Sequence, residues 1–185
     1  MEYLALERAA EAKSELVDGV MIAMAGASRA HTLIATNLLR ELATQLRSRS
    51  CEVHGGDLRV RVADGSLCAY PDVSAVCGEP AFEDAELDTL LNPTLLVEIL
   101  SPSTEAFDRG EKFARYRALA SLQAYVLVAQ DRPRIEVFVR DGERWAMTEH
   151  VRLDAMAELT SIGAAVALSE VYAKVPLAKP SSKPP

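Results

Sequence analysis

Two short runs along the chain are apolar at nearly every position, LLVEIL at 95–100 and AYVLVAQ at 124–130. Runs of this length are typical of strands that are buried on both faces of a sheet. A helix is predicted between them, from about Asp108 to Leu119. Two continuous apolar strands joined by a helix indicate a β-α-β crossover, in which the two strands pair in parallel.

The spacing of apolar residues predicts further elements on both sides of this crossover. Apolar residues recur at helical spacing across 31–47, which predicts an amphipathic helix packed on a flat surface. Alternation across 58–76 predicts a half-buried strand, a turn and a returning strand that is bent by a proline. Asp-Gly turns at the centres of 15–24 and 134–150 predict two hairpins, and 162–175 is weakly helical.

These elements predict an α/β fold that borders on α+β, with one mixed β-sheet flanked by helices. The predicted order is α-β-β-β-α-β, with an extra hairpin on the N-terminal side and another on the C-terminal side. The length of 185 residues favours a single domain, placed at 1–175. The last residues, 176–185, are rich in Pro, Ser and Lys and predict a flexible tail.

Composition and charge narrow the possible classes of protein. With 49% apolar and 25% charged residues and no apolar stretch near ~18 residues, the chain is predicted to be cytoplasmic, without a membrane partner. The net charge of −7 counts against binding nucleic acid through the overall field of the protein. A local basic groove stays possible, because five arginines fall close together in sequence: Arg40, Arg47, Arg49, Arg59 and Arg61.

The three cysteines, Cys51, Cys68 and Cys77, lie within or beside apolar stretches. No CxxC pair occurs, so the sequence supports neither a zinc site nor a disulfide framework. The expectation is that all three are small buried hydrophobic residues.

Glu98 is the one charged residue of the LLVEIL run. A buried acid is usually neutralised, paired or bound to a metal, because an unpaired carboxylate is costly in a dry interior. The period of two places Glu98 on the face of Leu96 and Leu100, near the strand end where α/β sheets hold their sites. The alternative is an acid that reaches solvent or caps a loop, and Glu98 alone does not separate the two interpretations.

Asp72 favours the metal interpretation. It follows Pro71 in the preceding predicted strand, and pairing of that strand with LLVEIL would bring its side chain within about 5 Å of Glu98. Two adjacent acids repel each other unless a cation lies between them. Because hard oxygen ligands favour Mg²⁺, Mn²⁺ or Ca²⁺ over zinc, the pair predicts a site for one of these ions.

Lys112 is the third candidate. Asp108 and Glu111 have the spacing of a capping box, which predicts that the helix begins at Asp108. Helical side chains lean toward the N-terminus, so the Lys112 ammonium would point back at the strand end that bears Glu98. The alternative is a surface pair between Asp108 and Lys112, worth ~0.3–0.5 kcal/mol.

An ordered series of motifs resembles the Uma family of restriction-endonuclease-like proteins, within the PD-(D/E)XK nuclease superfamily. The series extends over nearly the whole chain: YLALE, SELVDG, MAGASRAH, YPDVSAVC, NPTLLVEILSPST, DRGEKFARYR, SLQAYVLV and SIG. Each motif alone is weak, and the specificity lies in their order. The resemblance implies a restriction-endonuclease-like mixed sheet core.

In that superfamily an Asp and a Glu on neighbouring strands hold a divalent metal, and a nearby lysine positions or activates water. The resemblance implies that Asp72 and Glu98 bind Mg²⁺ or Mn²⁺. Leu100 stands where the superfamily lysine would be, so Lys112 on the following helix is implied to replace it. Supporting roles are implied or predicted for four more residues, with a capping or structural role favoured for the last: Glu15, Asp57, Asp108 and His31.

Three functional hypotheses follow. The first is a metal-dependent endonuclease that acts on nucleic acid, with DNA favoured, as a homodimer in which RIEVFVR offers an edge strand. The second is a catalytically inactive interaction module that retains the nuclease fold. The acidic pI favours the second, as does Ala124, which stands where related sequences commonly have an acid. The third is hydrolysis of a phosphate ester other than nucleic acid at the same site.

Overall fold

The computed structural model describes residues 2–177, so most of the predicted tail at 176–185 lies outside the described residues. The helices are α1 (Glu2–Ala9), α2 (Arg29–Leu46), α3 (Glu105–Phe107), α4 (Phe113–Tyr116) and α5 (Leu168–Val171). A π-helical turn, Asp108–Lys112, joins α3 to α4. Within the described part of the chain, each helix is too short or too polar to cross a membrane.

The strands fall into a five-stranded, a six-stranded and a two-stranded sheet, in the orders β2-β1-β5-β4-β7, β11-β10-β9-β8-β6-β3 and β12-β13. Their bounds are β1 (Ser14–Val17), β2 (Val20–Ala23), β3 (Cys51–Gly55), β4 (Arg59–Arg61), β5 (Leu67–Ala69), β6 (Val73–Cys77), β7 (Thr89–Leu90), β8 (Leu95–Leu100), β9 (Ala124–Ala129), β10 (Ile135–Asp141), β11 (Arg144–His150), β12 (Met156–Leu159) and β13 (Ala164–Ala167). The α/β class with mixed sheets is confirmed.

The expectation of one sheet is wrong, and the reason lies at Pro71. The returning strand expected within 58–76 is two strands, because β5 pairs in the five-stranded sheet and β6 in the six-stranded sheet. Pro71, between them, has no backbone N–H to donate to a ladder, so pairing ends there and the chain changes sheets. Asp72 is the residue with which the chain enters the second sheet.

The β-α-β crossover is confirmed. β8 and β9 pair in parallel, with Leu95 opposite Ala124 and Leu100 opposite Ala129. The two faces of β8 meet different hydrophobic clusters. Val97 and Ile99 pack in the cluster of helix α2, while Leu96 and Leu100 pack in the cluster of Tyr116. The alternation of β8 therefore places Glu98 on the side of the crossover helix.

The crossover helix, which consists of α3, the π-helical turn and α4, begins earlier than predicted. Thr104 is its N-cap, and Asp108 donates its backbone N–H to the Thr104 carbonyl at 2.9 Å. Asp108 therefore lies a full turn inside the helix, and the capping box expected for Asp108 and Glu111 is wrong. The local pattern was ambiguous because Thr104 is itself a good capping residue.

The C-terminal part of the fold departs from the predictions in two places. The hairpin of β10 and β11 is confirmed, but β10 lies between β9 and β11, so RIEVFVR is not an edge strand. The edge is β11. The segment 162–175 contains strand β13, paired with β12, in addition to the short helix α5.

A disulfide joins Cys51 and Cys77, which contradicts the expectation that all three cysteines are small buried hydrophobic residues outside any disulfide. These residues are directly opposite in the antiparallel pair of β3 and β6, with Cα atoms 4.0 Å apart. Their separation of 26 residues in sequence matches no known cysteine motif, so the bond can be recognised only from the pairing of the two strands. Cys68 is buried as expected, and burial raises the pKa of its thiol to about 12.

Thiol titration tests this assignment. We expect no rapidly reacting thiol in the native protein, because Cys68 is buried and its thiolate is disfavoured. Unfolding without reductant should expose one thiol, and reduction should expose all three. Reduction should lower the free energy of unfolding by about 2–4 kcal/mol. Three reactive thiols in the unfolded, unreduced protein would contradict the disulfide.

Candidate functional site

Asp72 and Glu98 lie side by side. β6 and β8 are antiparallel with Val73 opposite Val97, so the residues that follow this pair outward are Asp72 and Glu98. One carboxylate oxygen of Asp72 accepts a hydrogen bond from the Ile99 backbone N–H at 2.7 Å. This bond fixes Asp72 against the strand of Glu98 and keeps the two carboxylates together.

The Lys112 ammonium is buried among three carboxylates. Its Nζ lies 3.0 Å from an oxygen of Glu15, 3.0 Å from an oxygen of Glu98 and 3.6 Å from an oxygen of Asp108. Tyr116, one turn further along, donates its hydroxyl to the same Glu98 oxygen at 3.2 Å. Strand β1, strand β8 and the crossover helix therefore meet at one buried cation.

The π-helical turn determines where Lys112 points. Asp108 and Lys112 are its first and last residues, and both are buried. π-helical turns inside α-helices occur frequently at functional sites, because the widened turn redirects side chains. The Tyr125 hydroxyl donates to the Asp108 carbonyl at 2.9 Å, which fastens the turn to strand β9.

Arg109, in the same π-helical turn, links that turn to strand β10. Arg109 pairs with Glu105 at 2.8 Å and with the buried carboxylate of Glu136 on β10. Glu136 also contacts Arg134 at 2.7 Å. A carboxylate shared by two guanidinium groups keeps its charge balanced inside the protein. The crossover helix is thus tied to β10 as well as to β8 and β9.

The cluster contains more negative than positive groups. Four carboxylates, those of Glu15, Asp72, Glu98 and Asp108, surround Lys112 and His31. Burial raises the pKa of Glu98 well above its usual value and also raises the pKa of Asp108. Both carboxylates are thus harder to ionise than in water, because the attraction of Lys112 lowers each pKa by less than burial raises it.

The two basic groups respond in the opposite direction. Burial disfavours the charged form of Lys112, but attraction to Glu98, Glu15 and Asp108 outweighs it and raises the pKa of Lys112. His31 Nε2 lies 3.1 Å from an Asp72 oxygen. Burial opposes its charge too, and the contact with Asp72 raises the pKa of His31. The site therefore favours the charged forms of both groups more than water does.

The donor chemistry fits a hard divalent cation. Carboxylate oxygens are the ligands that Mg²⁺ and Mn²⁺ prefer, and a divalent ion would supply the positive charge that the cluster lacks. Between residues 2 and 177, however, no three His, Cys, Asp or Glu side chains converge as a ready-made ligand set. Mg²⁺ often keeps several waters and needs only one or two protein carboxylates. Asp72 and Glu98 are the residues that would hold it.

These groups line a cleft of about 650 Å³. Five of the residues singled out from the sequence line it with Asp72: Glu15, His31, Glu98, Asp108 and Lys112. Tyr116 was not singled out for the site, although its spacing of four residues from Lys112 was visible in DRGEKFARY. The loop 101–104 and the stretch 22–28 also line the cleft; both overlap the family motifs, but no role at the site was predicted for them.

Asp57 lies apart from the other candidates. Its side chain is 95% exposed and pairs with Lys13, and it does not line the cleft. The arginines considered as a basic groove are also elsewhere. Arg59 pairs with Asp88 and Arg61 with Glu83, and none of the five arginines lines the cleft.

Ala124 does not border the site. It begins strand β9 and packs with Val126 and Val128 in the cluster of helix α2, on the sheet face opposite Glu98. Leu100 packs in the cluster of Tyr116 on the side of Glu98. The absence of an acid at 124 therefore removes no ligand from the carboxylate cluster.

Comparisons with known proteins identify the family of the chain. The family model Uma2, described as "Putative restriction endonuclease", matches residues 1–169. Two uncharacterized proteins of Synechocystis sp. are similar in sequence. The protein sll1609 is 37% identical, with coverage of 86% of this chain and 90% of the relative. The protein slr1290 is 35% identical, with coverage of 92% and 89%.

A solved structure shares the fold. It is described as a putative nuclease belonging to DUF820 from Anabaena variabilis. The TM-score is 0.73 at 16% identity, over 88% of this chain and 91% of that one. At this low identity the likeness supports the fold alone.

Removing either member of the central ion pair should have unequal effects on stability. Lys112→Met leaves three buried or half-buried carboxylates without their shared cation, and we expect a loss of about 3–5 kcal/mol in the free energy of unfolding. Glu98→Gln should cost far less, because it removes a carboxylate whose ionisation the fold disfavours and leaves Lys112 with two acids. Urea unfolding of both variants measures the difference, and equal losses would contradict this description of the cluster.

Proposed function

This chain belongs to the Uma2 family of putative restriction endonucleases, and from that membership we propose that it is a metal-dependent endonuclease that hydrolyses phosphodiester bonds in nucleic acid. One observation supports the proposal above the others. Lys112 and Glu98 form a buried ion pair beside Asp72 at the wall of an open cleft. Ionisable groups that are held together against a large desolvation cost are typical of catalytic sites.

We assign the metal to Asp72 and Glu98. A bound Mg²⁺ or Mn²⁺ ion supplies a Lewis acid that activates water and neutralises charge on the phosphate. Asp72 is held by the Ile99 N–H and faced by His31, so its orientation is fixed before any ligand enters. Tyr116 fixes Glu98 in the same way through its hydroxyl.

Lys112 acts in this proposal as a fixed positive charge. The surrounding carboxylates raise its pKa, so it keeps its proton near neutral pH and cannot serve as a base. An ammonium can orient the attacking water and stabilise the charge that develops on the phosphate oxygens. Glu15 and Asp108 hold it in place, which limits its reorganisation during the reaction.

The substrate class rests on the family. The description "restriction endonuclease" favours DNA over RNA. The acidic net charge of −7 means that the field of the whole protein does not attract nucleic acid, so binding depends on the cleft and the metal. The homodimer and the cytoplasmic location stay predictions. The disulfide counts against the cytoplasmic location, because such bonds are rare in reducing compartments.

Cleavage assays test the assignment. With Mn²⁺ and a mixture of plasmid, single-stranded and partly paired oligonucleotides, we expect Glu98→Gln and Asp72→Asn each to slow cleavage at least about 100-fold, because each removes a charge that holds the metal. Asp57→Asn is the matched control, since Asp57 lies outside the cleft, and its rate should equal that of the wild type. Equal rates for the wild type and Glu98→Gln would refute the assignment.

A second candidate function is a non-catalytic interaction module that retains the nuclease fold. The ion pair between Lys112 and Glu98 favours it, because the ammonium already neutralises one of the two proposed metal ligands. Ala124 no longer supports this candidate, since it lies on the other face of the sheet.

Calorimetric titration with Mn²⁺ separates the two candidates. A working site should bind the ion at millimolar or lower concentration, and Asp72→Asn and Glu98→Gln should abolish the heat while Asp57→Asn retains it. Binding should also raise the midpoint of thermal unfolding, because the ion binds only the folded chain. An interaction module would show neither heat nor stabilisation.

A further inference from the structure

One wall of the cleft has no part in the hydrolysis proposed above. We call it the apolar wall and define it as the cleft-lining residues Ile22, Ala23, Met24, Ala25 and Ala27. Ile22 is 49% exposed and Met24 is 39% exposed. A group of exposed apolar side chains beside a polar site is typical of a surface that binds another molecule.

The apolar wall reaches both ends of the charged cluster. In the hairpin of β1 and β2, Ile22 is directly opposite Glu15, the carboxylate that holds Lys112. The wall then continues through 24–27 to Ser28, which caps helix α2 and precedes His31. A ligand whose charged part meets Lys112 would therefore place its neighbouring part against Ile22 and Met24.

The charges of the cleft limit what that ligand can be. Of the described residues that line the cleft, Lys112 is the one lysine or arginine, and the lining includes four carboxylates. A double helix presents one phosphate charge per ~1.7 Å of axis, and proteins that follow it use many Lys and Arg contacts. A lining with a single lysine among four carboxylates does not suit the two backbones of a duplex.

The size of the cleft leads to the same conclusion. Its volume of about 650 Å³ falls within the range that holds a compact ligand. One or two nucleotides are of that size, whereas a double helix is too wide to enter. Enzymes that do chemistry on a base in such a pocket receive a nucleotide that is single-stranded or extruded from the stack.

Resting on the proposed phosphodiester hydrolysis, we propose that the cleft receives an unpaired nucleotide, with its base against the apolar wall and its phosphodiester at Lys112. Ile22 and Met24 are then specificity-determining residues that favour single-stranded or locally unpaired nucleic acid over a paired duplex. Apolar side chains accept the face of any base, so this contact selects for unpaired structure and not for sequence.

The experiment compares three oligonucleotides of one sequence with Mn²⁺: single-stranded, fully paired, and paired with a central mismatch. We expect the single strand to be cleaved at least about tenfold faster than the paired duplex, because the duplex must first lose a base pair. The mismatched duplex should be cut at the mismatch at an intermediate rate.

Two variants assign the preference to the apolar wall. Ile22→Ser and Met24→Ser should each raise KM for the single strand at least about fivefold and leave kcat little changed, since they remove apolar contact without touching the charged cluster. Met21→Ser is the matched control. Met21 is 40% exposed on the same strand but is opposite Leu16 and does not line the cleft. Its KM should equal that of the wild type.

The outcomes separate this inference from the proposed function. If the paired duplex is cleaved as fast as the single strand, or if Ile22→Ser and Met24→Ser leave KM unchanged while Glu98→Gln abolishes cleavage, the inference is wrong and the endonuclease assignment stands. If light scattering shows a dimer that these two variants convert to a monomer, the apolar wall is an interface between copies and the inference is again wrong. If no oligonucleotide is cleaved, both proposals fail.

Discussion

The burial of one ammonium group among three carboxylates is the constraint on which this structure depends. Lys112 contacts Glu15 on β1, Glu98 on β8 and Asp108 in its own helix. Removing these charges from water costs several kcal/mol per ion, roughly, in free energy. The arrangement is therefore stable only where β1, β8 and the crossover helix are all held in place. The five-stranded sheet, the six-stranded sheet and the crossover helix are each fastened at this point, which couples the integrity of the fold to the geometry of the site.

The carboxylates of this cluster differ in solvent exposure. The Glu98 and Asp108 side chains are 5% and 4% exposed, whereas those of Asp72 and Glu15 are 21% and 13% exposed. The excess negative charge is therefore anchored in the interior and accessible at the cleft. The Asp72 side of the cluster is therefore open to the cleft, while Lys112 and Tyr116 hold the inner carboxylate.

Sequence reasoning was most effective where hydrophobic patterns are simple. The runs 95–100 and 124–130 predicted two parallel strands, and the period of two placed Glu98 on the face of Leu96 and Leu100. It was less effective where long-range pairing decides. The change of sheets at Pro71 and the disulfide between Cys51 and Cys77 depend on which strands become neighbours, and no local pattern encodes that choice.

The acidic candidates show the same limit. The family resemblance implies supporting roles for Glu15 and Asp57 alike, yet Glu15 contacts Lys112 and Asp57 is on the surface. Asp108 fitted a capping box by spacing, but Thr104 begins the helix one turn earlier. Residue type and spacing identify acids that are able to serve, and only the packing of β1 against the crossover helix selects among them.

The position of Lys112 depends on apolar packing at the end of β8. Leu100 lies on the same face of β8 as Glu98 and shares a hydrophobic cluster with Tyr116. Because hydrocarbon fills that position, the crossover helix packs closely on the strand end, and its π-helical turn directs Lys112 to the oxygen that Tyr116 also contacts. A lysine at 100 would have to displace this packing. Leu100 and Lys112 are thus two parts of one arrangement, in which apolar contact positions the charge.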